Sequence, residues 1–320
     1  MQLLRAVSML VCAVPCWAAA QTTVVSTGEV RAELVVHAPR GLAPGEPAWL
    51  GLAITHQPHW HSYWKNPGDS GMVTTLRWTL PEGVTAGAIE WPTPQRLPVG
   101  PLVNYGYEGE VLLPVALSVP TTFRAAALDV KLHAEWLVCR DVCIPQAGEF
   151  ALSVARAASM SHAAAFARAR AALPQTLAGV TARAHAQDQA LVVEVNGLPA
   201  AWSGKAMQFF AEDAGVIDHA RIAEPRWDGA RLTLSVPLSA QRSESPQSMR
   251  AVLVARDEPA GVALNFPVEG GWPAPGTAPP PVRAQESAAP AQSSNWPLVL
   301  VLICAALATG LAGWRRSARP

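Results

Sequence analysis

The sequence predicts an all-β protein: two β-sandwich domains joined by a short helical connector and followed by one C-terminal transmembrane helix. Three observations carry that expectation. Between residues 21 and 295, short apolar alternations are split by frequent Gly and Pro, and period two with turn signals marks antiparallel strands. One Ala-rich stretch midway breaks the alternation. Near the end, Pro297 to Trp314 is an uncharged run of eighteen residues, close to the ~20 that a helix needs to cross a bilayer.

Taken in order, residues 1–20 read as a secretory signal: Arg5 precedes an apolar run, and the small residues Ala18 and Ala20 stand before Gln21. Cleavage there removes Cys12 and Cys16. Val14-Pro15 ahead of Cys16 fits a lipid-attachment site poorly. The first sandwich is expected over 21–154. There Val30, Ala32, Leu34 and Val36 alternate with Glu29, Arg31 and Glu33, and Leu76, Trp78 and Leu80 alternate with Arg77 and Thr79. Further strands are expected at 110–119, 127–138 and 148–154.

Residues 155–174 are Ala-rich with spaced arginines and end at Pro174, which predicts the helical connector. The second sandwich follows over 175–270, with strands at 190–196, 206–211, 230–237 and 250–255; each region is long enough for its own core. Residues 271–295 are rich in Pro, Ala and Ser and read as a disordered stalk. The span over 296–314 is followed by Arg315, Arg316 and Arg319 in a tail at 315–320, and positive charge holds that end in the cytoplasm. The bulk of the chain is therefore expected in the periplasm, on a single-pass inner-membrane anchor. Cys304 falls mid-span, where packing explains a thiol.

The formal net charge is zero, with no basic stripe, so no nucleic-acid partner is expected. Phosphate loops, Gly-x-Ser-x-Gly elbows and His-Glu-x-x-His helices are absent from the sequence, which weighs against hydrolase and nucleotide-enzyme readings.

The chemistry concentrates in Trp136-Leu-Val-Cys-Arg-Asp-Val-Cys-Ile-Pro145, where Cys139 and Cys143 are the pair left outside the signal and the span. As a structural staple the pair is weak: a loop this short is worth about 2 kcal/mol at best, against about 3 for a fifteen-residue loop. As a redox pair it is well spaced for one thiolate to resolve a mixed disulfide made by the other. Arg140 favours a thiolate and Asp141 opposes it. A metal reading draws on His56, His59 and His61 in a Pro- and Trp-rich loop, with Met72 and His133 as further ligands suited to copper or zinc. The residues alone leave all three open. Trp49, Trp60, Trp64, Trp78, Trp91 and Trp136 all lie in the first region, and packing explains most of them.

Four ordered motifs carry a resemblance. His59-Trp-His-Ser-Tyr-Trp-Lys-Asn-Pro-Gly-Asp-Ser-Gly71, Trp91-Pro-Thr-Pro94, Tyr105-Gly-Tyr-Glu-Gly109 and Trp136 to Pro145 resemble the exported N-terminal region of the DsbD/ScsB group of thiol:disulfide interchange proteins. Phe209 to His219 in the second region is similar too, so the resemblance covers about 28–270.

The resemblance implies immunoglobulin-like domains and no resident cofactor. Cys139 and Cys143 are implied as the exchanging thiols, with Tyr105, Tyr107 and Trp136 shielding the disulfide or docking a partner. It implies reducing equivalents taken from a membrane relay and handed to thioredoxin-like periplasmic proteins. The ScsB branch is associated with copper tolerance, which keeps copper and the histidine loop as an alternative. Full members of the group continue into a multi-helix membrane domain and a thioredoxin-like domain. Here one span and six residues are expected instead, so a separate membrane electron-relay protein is expected, or else the disulfide is structural in a non-redox scaffold.

Overall fold

The computed structural model describes residues 21–157 and 161–274. The expected signal, span and tail, the stalk beyond residue 274, and Cys12, Cys16 and Cys304 lie outside the described residues. Among the described residues no helix is long and apolar enough to cross a membrane.

The first region holds eleven strands: β1 (Val24–Ser26), β2 (Val30–His37), β3 (Ala48–His56), β4 (His61–Gly68), β5 (Thr75–Thr79), β6 (Thr85–Ile89), β7 (Gln95–Val99), β8 (Leu102–Glu108), β9 (Glu110–Ser118), β10 (Ala127–Cys139) and β11 (Cys143–Ala155). One sheet has the order β1-β2-β3-β9-β6, and the other β11-β10-β4-β8-β7 with β5 also on β10. The two sheets bury one core. Leu34, Leu50, Leu52, Ile54 and Leu113 enter it from the first sheet, and Trp64, Leu128, Val130, Leu132 and Trp136 from the second. The alternation legible in β10 is what builds it, since even-numbered residues 128 to 138 are buried and the odd-numbered residues between them less so.

Between the β regions, α1 (Ala163–Ala171) is shorter than the 155–174 expected for the connector. Val154 and Ala155 still belong to β11 and pair with Leu128 and Ala127: a cross-strand partner outweighs the helix propensity of alanine. Phe166 and Ala169 of α1 pack on Val35 and Leu112, on the first sheet's other face.

The second region has β12 (Thr181–Gln187), β13 (Ala190–Asn196), β14 (Met207–Ala211), β15 (Glu224–Asp228), β16 (Arg231–Pro237), β17 (Ser248–Ala255) and β18 (Val262–Glu269). These form a seven-stranded sheet in the order β14-β17-β18-β12-β13-β16-β15. Its halves are joined by a short parallel pairing of β12 with β18, and side chains from both halves enter one cluster. The chain is thus mostly β-sheet, as expected. Phe210, Val252 and Val254 leave the second region's cluster and join the core of the first, so the two regions pack together.

Candidate functional site

The longest hairpin brings the two cysteines together. β10 and β11 pair without a slip from Ala127↔Ala155 to Cys139↔Cys143, and Arg140, Asp141 and Val142 make the turn, closed by the Arg140 N–H donating to Val142 O at 3.2 Å. The cysteines are therefore cross-strand neighbours, 4.1 Å apart at Cα, and form a disulfide. The Arg140 guanidinium lies 5.1 Å from the Trp60 ring centroid and 2.8 Å from Asp141, so it is held by a ring and a carboxylate beside the sulfurs.

Strand parity then decides what surrounds the disulfide. Cys139 lies on the opposite face of β10 from Trp136 and Val138, and the one β4 residue in register with it is His61. On β4 and β8 the pairs His61↔Glu108 and Tyr63↔Gly106 share that face, whereas Ser62↔Tyr107 faces the other way. Gly106 lets the strands close up there, because a Cβ would fall 1.9 Å from Ser62 O.

Tyr63 is consequently the ring on the sulfurs. Its hydroxyl donates to Cys139 Sγ at 2.7 Å and lies 3.7 Å from Cys143 Sγ. Asn104 Nδ2 stands behind it, 3.4 Å from both the Tyr63 hydroxyl and His61 Nε2. Burial pushes the Tyr63 hydroxyl up to about 12, against a hydrogen bond from Ser70 that lowers it, so the phenol keeps its proton at ordinary pH and remains a donor. Burial lowers His61 and the Glu108 carboxylate opposes that shift.

The two sulfurs are not equivalent. Cys139 is 1% exposed, whereas Cys143 is exposed and adjoins Val142, 62% exposed. A shallow groove alongside is lined by His59, His61, Leu97, Glu108, Arg140 and Asp141.

The three aromatics that the resemblance implied as shields are placed elsewhere. Tyr107 donates to Pro92 O at 2.7 Å, Trp136 donates to Gln146 Oε1 at 2.9 Å, and Tyr105 lies edge-on to Phe210 at 4.8 Å with its hydroxyl 3.5 Å from Phe209 O. All three rings belong to the core. The signal for Tyr63 was its place two residues after His61, but it is usable only once the register with Cys139 is known.

The histidines are separated by the fold. The segment read as a loop spans the end of β3 and the start of β4, which belong to different sheets. His56 ends β3 with Nδ1 2.7 Å from Gly109 O, and burial lowers it to about 4. His59 is exposed in the turn at φ 69°, and His61 begins β4. His133 sits between Glu149 and Glu135, at 2.6 and 3.1 Å, and Met72 is exposed. Among the described residues no group of three His, Cys, Asp or Glu side chains is placed to hold a metal ion.

No curated protein matches the chain significantly. The crystal structure of the N-terminal periplasmic domain of ScsB from Proteus mirabilis is similar in fold, with a TM-score of 0.61 at 16% identity over 79% of this chain and all of that one. Residues 31–155 match the family model described as the N-terminal region of thiol:disulfide interchange protein DsbD, and this matched segment is the one whose last hairpin carries the Cys139–Cys143 disulfide at its tip.

Proposed function

We propose that this chain is an exported, membrane-anchored thiol:disulfide interchange protein that passes reducing equivalents through Cys139 and Cys143 to thioredoxin-like periplasmic proteins. The electrons come from a separate membrane relay with its own dithiol. The two β regions are read as immunoglobulin-like sandwiches. Export and anchoring are supported by the signal-like residues 1–20, the apolar run over 296–314 and the periplasmic origin of the ScsB domain of similar fold.

The observation that carries the exchange reading is the asymmetry of the sulfurs: one exposed, the other buried under a hydroxyl donor. A donor thiolate attacks Cys143 Sγ, the S–S bond breaks, and the electron pair leaves on Cys139 Sγ, where the Tyr63 O–H stabilises the developing thiolate. The donor's second thiolate then displaces Cys143, leaving the dithiol here and a disulfide on the donor. Toward a client the steps reverse. Cys143 thiolate opens the client's disulfide and takes one sulfur into a mixed disulfide. Cys139 thiolate then attacks Cys143 Sγ and releases the second client thiol, so two electrons have moved.

The test is equilibration of the full-length chain in detergent with glutathione and dithiothreitol buffers, read by thiol alkylation. A midpoint above about −300 mV is expected, and one well below it, the range of inert structural disulfides, would overturn the exchange reading.

A further inference from the structure

A continuous set of contacts runs from the disulfide to the second β region. Asn104 accepts from Ser70 through Oδ1, from the backbone N at 3.2 Å and from the hydroxyl at 2.9 Å, while its Nδ2 faces the Tyr63 hydroxyl. The Ser70 segment lies on the Tyr63 ring: a Cβ at Gly71, whose φ is +116°, would fall 2.2 Å from Tyr63 Cε1. One residue back, Asp69 divides its carboxylate. Oδ2 accepts from the Val103 N–H at 2.8 Å, and Oδ1 lies 2.9 Å from His219 Nδ1.

His219 belongs to the second region and is held firmly. Its ring is 4% exposed and lies edge-on to Tyr105 at 5.0 Å. Its backbone carbonyl accepts from Arg96 at 2.6 Å. Asn66 adds a second tie by donating to Ala211 O at 2.8 Å. The segment that covers Tyr63 is thus anchored on the far side of the boundary between the regions.

We propose that the second β region tunes the redox centre of the first, with His219 as a positioning residue that, through Asp69 and the 69–71 segment, holds the Tyr63 hydroxyl on Cys139 Sγ. The chemical ground is that a hydroxyl donates more strongly to a reduced sulfur carrying negative charge than to a disulfide sulfur. A well-placed Tyr63 therefore favours the dithiol, and a displaced one favours the disulfide. This deepens the exchange reading and rests on it for its biological use. The equilibrium that tests it exists for any disulfide, so the two readings fail separately.

The experiment equilibrates the full-length chain with dithiothreitol, whose two electrons and two protons pass to the Cys139–Cys143 bond to give two thiols and the cyclic disulfide. Tyr63→Phe is expected to shift the equilibrium toward the protein disulfide by about tenfold, the worth of one hydrogen bond to a charged acceptor. His219→Ala is expected to shift it the same way by about fivefold, and His219→Asn, which keeps a donor near the place of Nδ1, to restore it. The decisive comparison is His219→Ala on the Tyr63→Phe background, where a residue acting through the hydroxyl has nothing left to change, so a factor under about two is expected. An unshifted His219→Ala, or the same factor with and without the hydroxyl, overturns the proposal. If His219→Ala does not fold, Asp69→Ala, which removes the carboxylate that His219 holds, carries the same double-variant test. A wild-type chain inert to thiol partners but shifted by these variants would sink the exchange reading and leave this one standing.

Discussion

The two faces of β4, β8 and β10 are made from alternate residues of the same strands, yet they follow different rules. On the inner face Trp64, Tyr105, Tyr107 and Trp136 are packed in a shared core, and the hydroxyl of Tyr107 and the ring nitrogen of Trp136 each end on an oxygen nearby. On the outer face His61, Tyr63, Asn104 and Cys139 are nearly as buried, but their polar atoms point at one another and at the sulfurs. Burial alone does not separate them. Where the polar atoms end does: the Tyr107 hydroxyl and the Trp136 ring nitrogen are consumed by the fold, and the outer groups are held ready around a bond that can break.

The largest expected effect sharpens the contrast within the outer face itself. With a small aromatic disulfide reagent, the Cys139→Ala chain, whose remaining thiol at Cys143 is exposed, should react about a hundredfold faster than Cys143→Ala, whose thiol is covered. Equal rates would break the asymmetry.

Crossing to the inner face, Trp136→Ala should cost about 3–5 kcal/mol in urea unfolding and leave the dithiothreitol equilibrium of the folded protein within about twofold. A large change in that equilibrium would mean that the two faces are not independent.

Next in size is a pH effect. His56 is buried and held near 4 in the folded protein, against an ordinary value near 6.5, so between these pH values the unfolded chain binds the extra proton and stability rises with pH. The contribution is present above pH 6.5 and lost on acidification toward pH 4, by about 3 kcal/mol. Chemical unfolding across that window should lose this slope in His56→Gln.

The smallest is Tyr107→Phe, which strands the Pro92 carbonyl and should cost about 1–2 kcal/mol with no effect on exchange. Tyr63→Phe is its outer-face opposite, small in stability and measurable in the equilibrium.

Much of the fold was legible because β10 and β13 alternate cleanly: the strands expected at 127–138 and 190–196 are observed at 127–139 and 190–196. The connector was overextended because propensity counts alanines and is blind to the cross-strand partner that keeps Val154 and Ala155 in β11. At the site the cysteines could be read from spacing, but their surroundings could not. Tyr105, Tyr107 and Tyr63 are equally aromatic in sequence, and which of them reaches the sulfurs depends on a single register contact, Cys139 with His61, between strands seventy-odd residues apart. His56, His59 and His61 look like a ligand set because they are close in the chain, and they part because the turn between β3 and β4 crosses from one sheet to the other.

The unbroken ladder of the β10–β11 hairpin has a further consequence for timing. Thirteen paired positions keep Cys139 opposite Cys143 whether or not the sulfurs are bonded, so the second thiol never has to be found by diffusion. Its local concentration at the mixed disulfide is that of a pre-aligned intramolecular reactant, a regime in which effective molarities reach about 10⁵ M and beyond. A covalent adduct on Cys143 is therefore short-lived by construction, and the hairpin works as a turnstile that admits one sulfur and promptly returns it.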